Sequence, residues 1–199
     1  MTRPDALRPD RRRLLRAGVG LPLAATLLAA GAVALPAAPA HAQTRAETDQ
    51  AVADALARLR TMDNAAPLFS AARAVLVFPR IVQGGFIVGG QYGEGALVRG
   101  NTVQGYYSIA GVSFGLLAGG QASGLAMFFM TEDALRALQN ADGWQIGTGP
   151  SVTVLDRGVQ ANVTTTTLAE PVYAITFDQR GLMASLALDG TKITPITPR

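Results

Sequence analysis

Cysteine is missing from all 199 residues, and the one histidine is His41, near the N-terminus. Lysine is nearly as scarce, with Lys192 alone. Zinc, copper, haem and iron–sulfur sites draw mainly on imidazole and thiolate. Most general-base chemistry near neutral pH also uses imidazole. Beyond residue 42 the chain has neither group, so we expect no cofactor, no metal and no catalytic residue: the chain reads as a protein that is not an enzyme. Disulfides are excluded outright, and so is acylation at a cysteine following a leader.

The leader itself is conspicuous. Residues 1–42 carry Arg11, Arg12, Arg13 and Arg16, then an Ala/Leu/Gly-rich apolar run from Ala17 to Leu35, then the small-residue site Ala40-His41-Ala42. A basic head, an apolar middle and a small-residue end are the three parts of an export signal. Paired arginines followed by Leu14, Leu15 and Arg16 resemble the twin-arginine type. A general secretory signal is the alternative. A retained anchor is a further one, since the run is long enough to span a bilayer, but Pro36 and Pro39 argue for removal. The expected mature protein is residues 43–199, exported to the periplasm or cell envelope and not a lipoprotein.

Charge follows the same division. The chain holds 17 Lys+Arg and 14 Asp+Glu, of which the leader takes six arginines and two aspartates. Eleven basic and twelve acidic groups remain, so the basic pI belongs to the leader. A near-neutral domain lacks the concentrated positive footprint that nucleic acid requires. No nucleic-acid partner is expected.

Residues 45–63 read as an amphipathic helix, with Val52, Leu56, Leu59 and Met62 at three- and four-residue steps. Thr48 is the expected cap, with Asp49 in the first turn and Arg58 and Arg60 toward the negative end. A short helical turn is expected around "PLFSAARA". From Val75 onward short β-rich runs such as "VLVF", "FIVGGQY", "VQGYYSIAG", "GLAMFFM" and "VYAITF" alternate with glycine or polar turns. The expected fold is α+β, mostly antiparallel β, a curled sheet or partly open barrel of roughly seven to nine strands. One helix interrupts it at "TEDALRALQNADG", capped by Thr131, with Gly143 just past its end.

Seven glycines between Gly84 and Gly100 raise the question of a phosphate loop. "GALVRGNT" matches the spacing of one but has Asn101 where the lysine belongs. "GFIVGGQY" and "GLLAGGQA" repeat the glycine spacing with glutamine. Glycine inside strand patterns marks bulges, coiling or close backbone packing, and that reading is preferred. "GVSFG" matches a nucleophile elbow at Ser113, but the serine has no histidine to serve it, and Lys192 is the sole lysine for a dyad. The threonine run "NVTTTT" reads as an exposed strand or loop. "AMFFM" and "GYYS" read as core, with a lipid-contacting patch as the alternative.

"ARAVLVFPRIVQGGFIVGGQYGEGALV", "GYYSIAG", "FFMTEDAL" and "FDQRGLMASLALDGTKIT", in this order, resemble the SYLF domain family of lipid-binding proteins. The resemblance runs from about Asp54 to Ile196. It implies a β-rich domain with flanking helices, no catalytic activity, and binding to anionic phospholipid. Relatives in bacteria usually have lysine near Gln83 and an acid near Gln91, so the amides here put a local phosphate contact in doubt. Arg73 and Arg80 could take that part.

The candidate lipid-binding residues are therefore Arg58, Arg60, Arg73 and Arg80 as a basic rim, with Phe86, Ile87 and Tyr92 as apolar contacts. The expected partner is anionic phospholipid, a membrane surface or a lipid-like ligand. The alternative is a periplasmic structural or protein-interaction module that uses the glycine-rich sheet as an assembly surface, its protein partner unknown.

Overall fold

A computed structural model describes residues 43–85, 88–114, 119–155, 168–180, 188 and 190–199. Residues 1–42, Phe86, Ile87 and the threonine run lie outside the described residues.

Helix α1 spans Arg45–Arg60 and begins one turn earlier than the expected cap. Thr44, not Thr48, caps it. The Thr44 hydroxyl accepts from the Glu47 N–H at 3.3 Å, and the Glu47 carboxylate accepts from the Thr44 N–H at 2.8 Å. The pair is a capping box, Thr-x-x-Glu, which satisfies two otherwise orphaned donors at once. Thr48 is instead buried on the inward face, its hydroxyl donating to the Thr44 carbonyl at 3.1 Å. Helix α2 is the short Ala66–Ala71, with proline in its first turn. Helix α3, Glu132–Gln139, is capped by Thr131 as expected, but Asn140 ends it before Gly143.

The strands are β1 (Ala74–Gly85), β2 (Val88–Arg99), β3 (Thr102–Phe114), β4 (Gly119–Phe129), β5 (Trp144–Gln145), β6 (Val152–Leu155), β7 (Val172–Arg180) and β8 (Lys192–Ile196). They form one curled half-barrel sheet in the order β5-β8-β3-β2-β1-β4-β7-β6. Every pairing is antiparallel except β6 with β7. The expected α+β, mostly antiparallel architecture is the one observed.

Apolar residues at every position of Ala74–Phe78 and Leu125–Phe129 demand burial on both faces. One face packs Leu76, Phe78, Leu125 and Met127 against Leu135 and Leu138 of α3. The other packs Val77, Ala96, Phe128 and Ile175 against Val52, Leu56 and Leu59 of α1 and Leu68 of α2. "AMFFM" and "GYYS" are thus core, alternate residues serving opposite faces: Phe128 and Tyr106 belong to the α1 side, Phe129 and Tyr107 to the α3 side.

The curl has a local cause. The register of β1 slips at Phe78–Pro79 against both of its neighbours, where Pro79 has no N–H to give to the ladder. The residues beside this bulge are glycines because nothing larger fits. A Cβ on Gly95 would overlap the Val77 carbonyl, and one on Gly124 would enter the Phe177 ring. Elsewhere the two chemical look-alikes dissolve into sheet. Ser113 pairs with Gly89 inside β3, and "GALVRGNT" is the β2–β3 hairpin.

Candidate lipid-contact surface

Beyond the bulge, β3, β2, β1 and β4 continue past the core as a four-stranded extension. Alternation decides what this extension shows to water. Ile81 packs into the α3-side cluster, so Val82 beside it points to the α1 face, beyond the flank of the helix. Register then places Ala110, Tyr92, Val82 and Ala122 in one row across four strands. Val112, Gly90, Gly84 and Gly120 form the next row out. Val82, Tyr92 and Val112 are 48%, 50% and 62% exposed. The result is a ledge of small and apolar groups with an almost bare backbone.

The inner border of the ledge is charged. Arg80 lies opposite Glu94 in register. Arg58 reaches from the last turn of α1 to Asp178 at 2.9 Å. Arg58, Pro79, Arg80, Ala122, Ser123 and Asp178 enclose a cleft of about 240 Å³. Tyr92 donates its hydroxyl to Glu94 at 2.6 Å, and the other Glu94 oxygen accepts from the Gln43 N–H at 3.3 Å. Partial burial, then the bond to Glu94 and its charge, push the Tyr92 hydroxyl up to about 12, so it remains a protonated donor. Arg80 makes no ion pair among the described residues.

The four arginines do not form one rim. Residues two apart on a helix point about 200° away from each other, so Arg58 and Arg60 leave α1 on opposite sides. Arg60 lies over the Phe69 ring, 5.6 Å from its centroid, and shares a cleft of about 310 Å³ with Arg73. Arg58 and Arg80 are brought together with Tyr92 near the ledge; Arg60 and Arg73 are brought together elsewhere.

Gln83 and Gln91 face the other way. They are 3% and 5% exposed, on the α3 side beneath the ledge, so neither side chain is placed to meet a surface phosphate. Gln83 donates to Gln91 at 2.7 Å, Gln91 donates to Thr191 at 2.7 Å, and Gln121 donates to Gln83. This buried amide chain crosses β4, β1 and β2 and ends just before β8. Sequence reasoning missed it, along with Val82 and Val112. A signal existed: Gln83-Gly84-Gly85, Gly89-Gly90-Gln91 and Gly119-Gly120-Gln121 each set a glutamine beside a glycine pair, and these segments align in register.

Fold and surface together define a half-barrel α+β domain with an exposed apolar ledge and two arginine-lined clefts. Residues 110–197 match the family model Ysc84, "Las17-binding protein actin regulator", so this part of the chain is similar to the SYLF domain family and the match supports that resemblance. That family is associated with lipid binding and actin-related roles. The match covers the end of β3, β4, α3 and β5–β8, so both arginine pairs and Tyr92 precede it. No curated protein matches the chain. Among the described residues, no helix is long and apolar enough to cross a membrane.

Proposed function

We propose that this chain is a non-catalytic binding module that contacts anionic phospholipid in the cell envelope after export. The observation carrying this reading is the ledge: three apolar side chains about half exposed or more, bordered by Arg58 and Arg80. Apolar groups enter the acyl boundary while guanidiniums stay at headgroup level, the usual division at an interface. Each cation near an anionic surface contributes ~1 kcal/mol, and the contribution weakens with salt. The poverty in imidazole and thiol beyond residue 42 supports contact rather than bond chemistry.

The test is sedimentation of the chain with vesicles of graded anionic content. Binding is expected to rise with anionic fraction and fall with salt. Arg58→Gln with Arg80→Gln should weaken it about thirtyfold, and Val112→Ser with Tyr92→Ser should weaken it independently of salt. Retention that ignores charge, or none at all, would instead favour the alternative in which the glycine-rich sheet is an assembly surface for protein.

A further inference from the structure

The second arginine pair has a cleft of its own, across α1 from the ledge. Its floor is apolar, made by Leu56 of α1, Val75 of β1 and Val98 of β2. Its rim carries Arg60, Arg73 and the Asn101 amide. A second hollow of about 200 Å³ shares Leu56, Arg60, Val98 and Asn101 with it and continues past Val52 and Val103 to Asp49. The two form one groove along the flank of α1. Gly100 turns the β2–β3 hairpin at φ +62, and a Cβ there would meet nothing within 4 Å, so the mouth stays open at that point.

Charge divides this groove lengthwise. At one end Arg60 and Arg73 make no ion pair among the described residues. Arg60 is steadied over Phe69, whose ring meets Phe128 edge-on at 5.0 Å. At the other end Asp49 already accepts from the Tyr106 hydroxyl at 2.7 Å. An anion is favoured at the first end, between the two arginines, and not at the second, where Asp49 is held by Tyr106 and Arg45 is engaged on the same hydroxyl at 2.9 Å. Apolar floor lies between them.

We propose that this groove binds a single amphiphilic anion, a phosphate or carboxylate head on an alkyl chain. The head sits between Arg60 and Arg73, and the first methylenes lie over Leu56, Val75 and Val98. About 310 Å³ is at the lower end of ligand-pocket sizes, so the groove takes a head and a short length of chain rather than a whole two-chain lipid. The proposal rests on the lipid reading for its ligand class but uses no ledge residue. The amphiphile can come from a bilayer or from free solution.

Calorimetric titration of the full chain with hexyl phosphate, alongside inorganic phosphate, tests it. Hexyl phosphate should saturate one site and bind at least about tenfold tighter than inorganic phosphate, because buried methylenes add to the charge contact. Arg60→Gln and Arg73→Gln should each weaken it roughly tenfold. Asn101→Asp should weaken it by repulsion, which gives a second handle should either glutamine variant melt early. Arg136→Gln, on α3 across the sheet, should leave it unchanged. If Arg60→Gln and Arg73→Gln also reduce vesicle sedimentation, the ligand is drawn from the bilayer; if they do not, it is a free amphiphile. If vesicle binding fails while hexyl phosphate still binds, only the ledge reading falls. Silence toward hexyl phosphate, equal affinity for inorganic phosphate, or indifference to all three groove variants overturns the groove.

Discussion

Replacing Gln83 with leucine should test the buried amide chain directly. Gln83 is the middle member, accepting from Gln121 and donating to Gln91 at 2.7 Å. Leucine fills a similar volume but removes both bonds. Depriving a buried polar group of its partner costs about 1–3 kcal/mol. Gln91 is buried and, keeping its bond to Thr191, loses the one from Gln83, so it should bear most of that, whereas half-buried Gln121 can turn toward water. The added apolar burial of leucine offsets part of the loss. A net destabilisation of about 2 kcal/mol follows, lowering Tm by roughly 4–8 °C for a chain of this size. Trp144 is the one tryptophan and is buried, so its fluorescence reports unfolding in denaturant. Leucine at Gln83, Gln91 and Gln121 together should cost less than the three single effects added, because no amide is left half-satisfied. The reasoning fails if Gln83→Leu costs under about 0.5 kcal/mol, or if the triple substitution is simply additive.

Two further outcomes bear on the fold and the ledge. Gly124→Ala should destabilise by about 1–3 kcal/mol through overpacking on the Phe177 ring, and Phe177→Leu in the same chain should recover part of the loss, as thermal melting would show. For Tyr92 the folded hydroxyl lies above its ordinary value of 10.0, at about 12. The folded state therefore holds this proton more tightly, and the associated stability is complete below pH 10 and lost as pH rises toward 12. Tyr106 and Tyr107 are also pushed up, by burial, so the comparison must be with Tyr92→Phe. That variant should show a shallower loss of stability above pH 10, and an unchanged slope would refute the assignment.

Much of the architecture was legible because its causes are local. Thr131 caps α3 through its own neighbours, and the continuous apolar runs in β1 and β4 could only belong to strands covered on both sides. The cap of α1 was misplaced by one turn because Thr44 and Thr48 offer the same hydroxyl, and only the reciprocal Glu47 bond separates them. Strand β3 runs on through Gly111, the last residue of the run "VQGYYSIAG". The amide chain was harder to see. Gln83 and Gln91 are eight residues apart, but Thr191 lies a hundred residues beyond Gln91, and no local pattern joins them.

The sequence alone determined the side chains available, with no cysteine and one histidine at position 41, and it held strands whose apolar content required a two-sided core. The division of the arginines was set by tertiary structure. Helical period sends Arg58 and Arg60 apart, but only the packing of α1 across the sheet puts Arg80 beside one and Arg73 beside the other. The exposure of Val82 and Val112 was decided in the same way, since a valine in a strand is core or surface according to whether a helix reaches far enough to cover it.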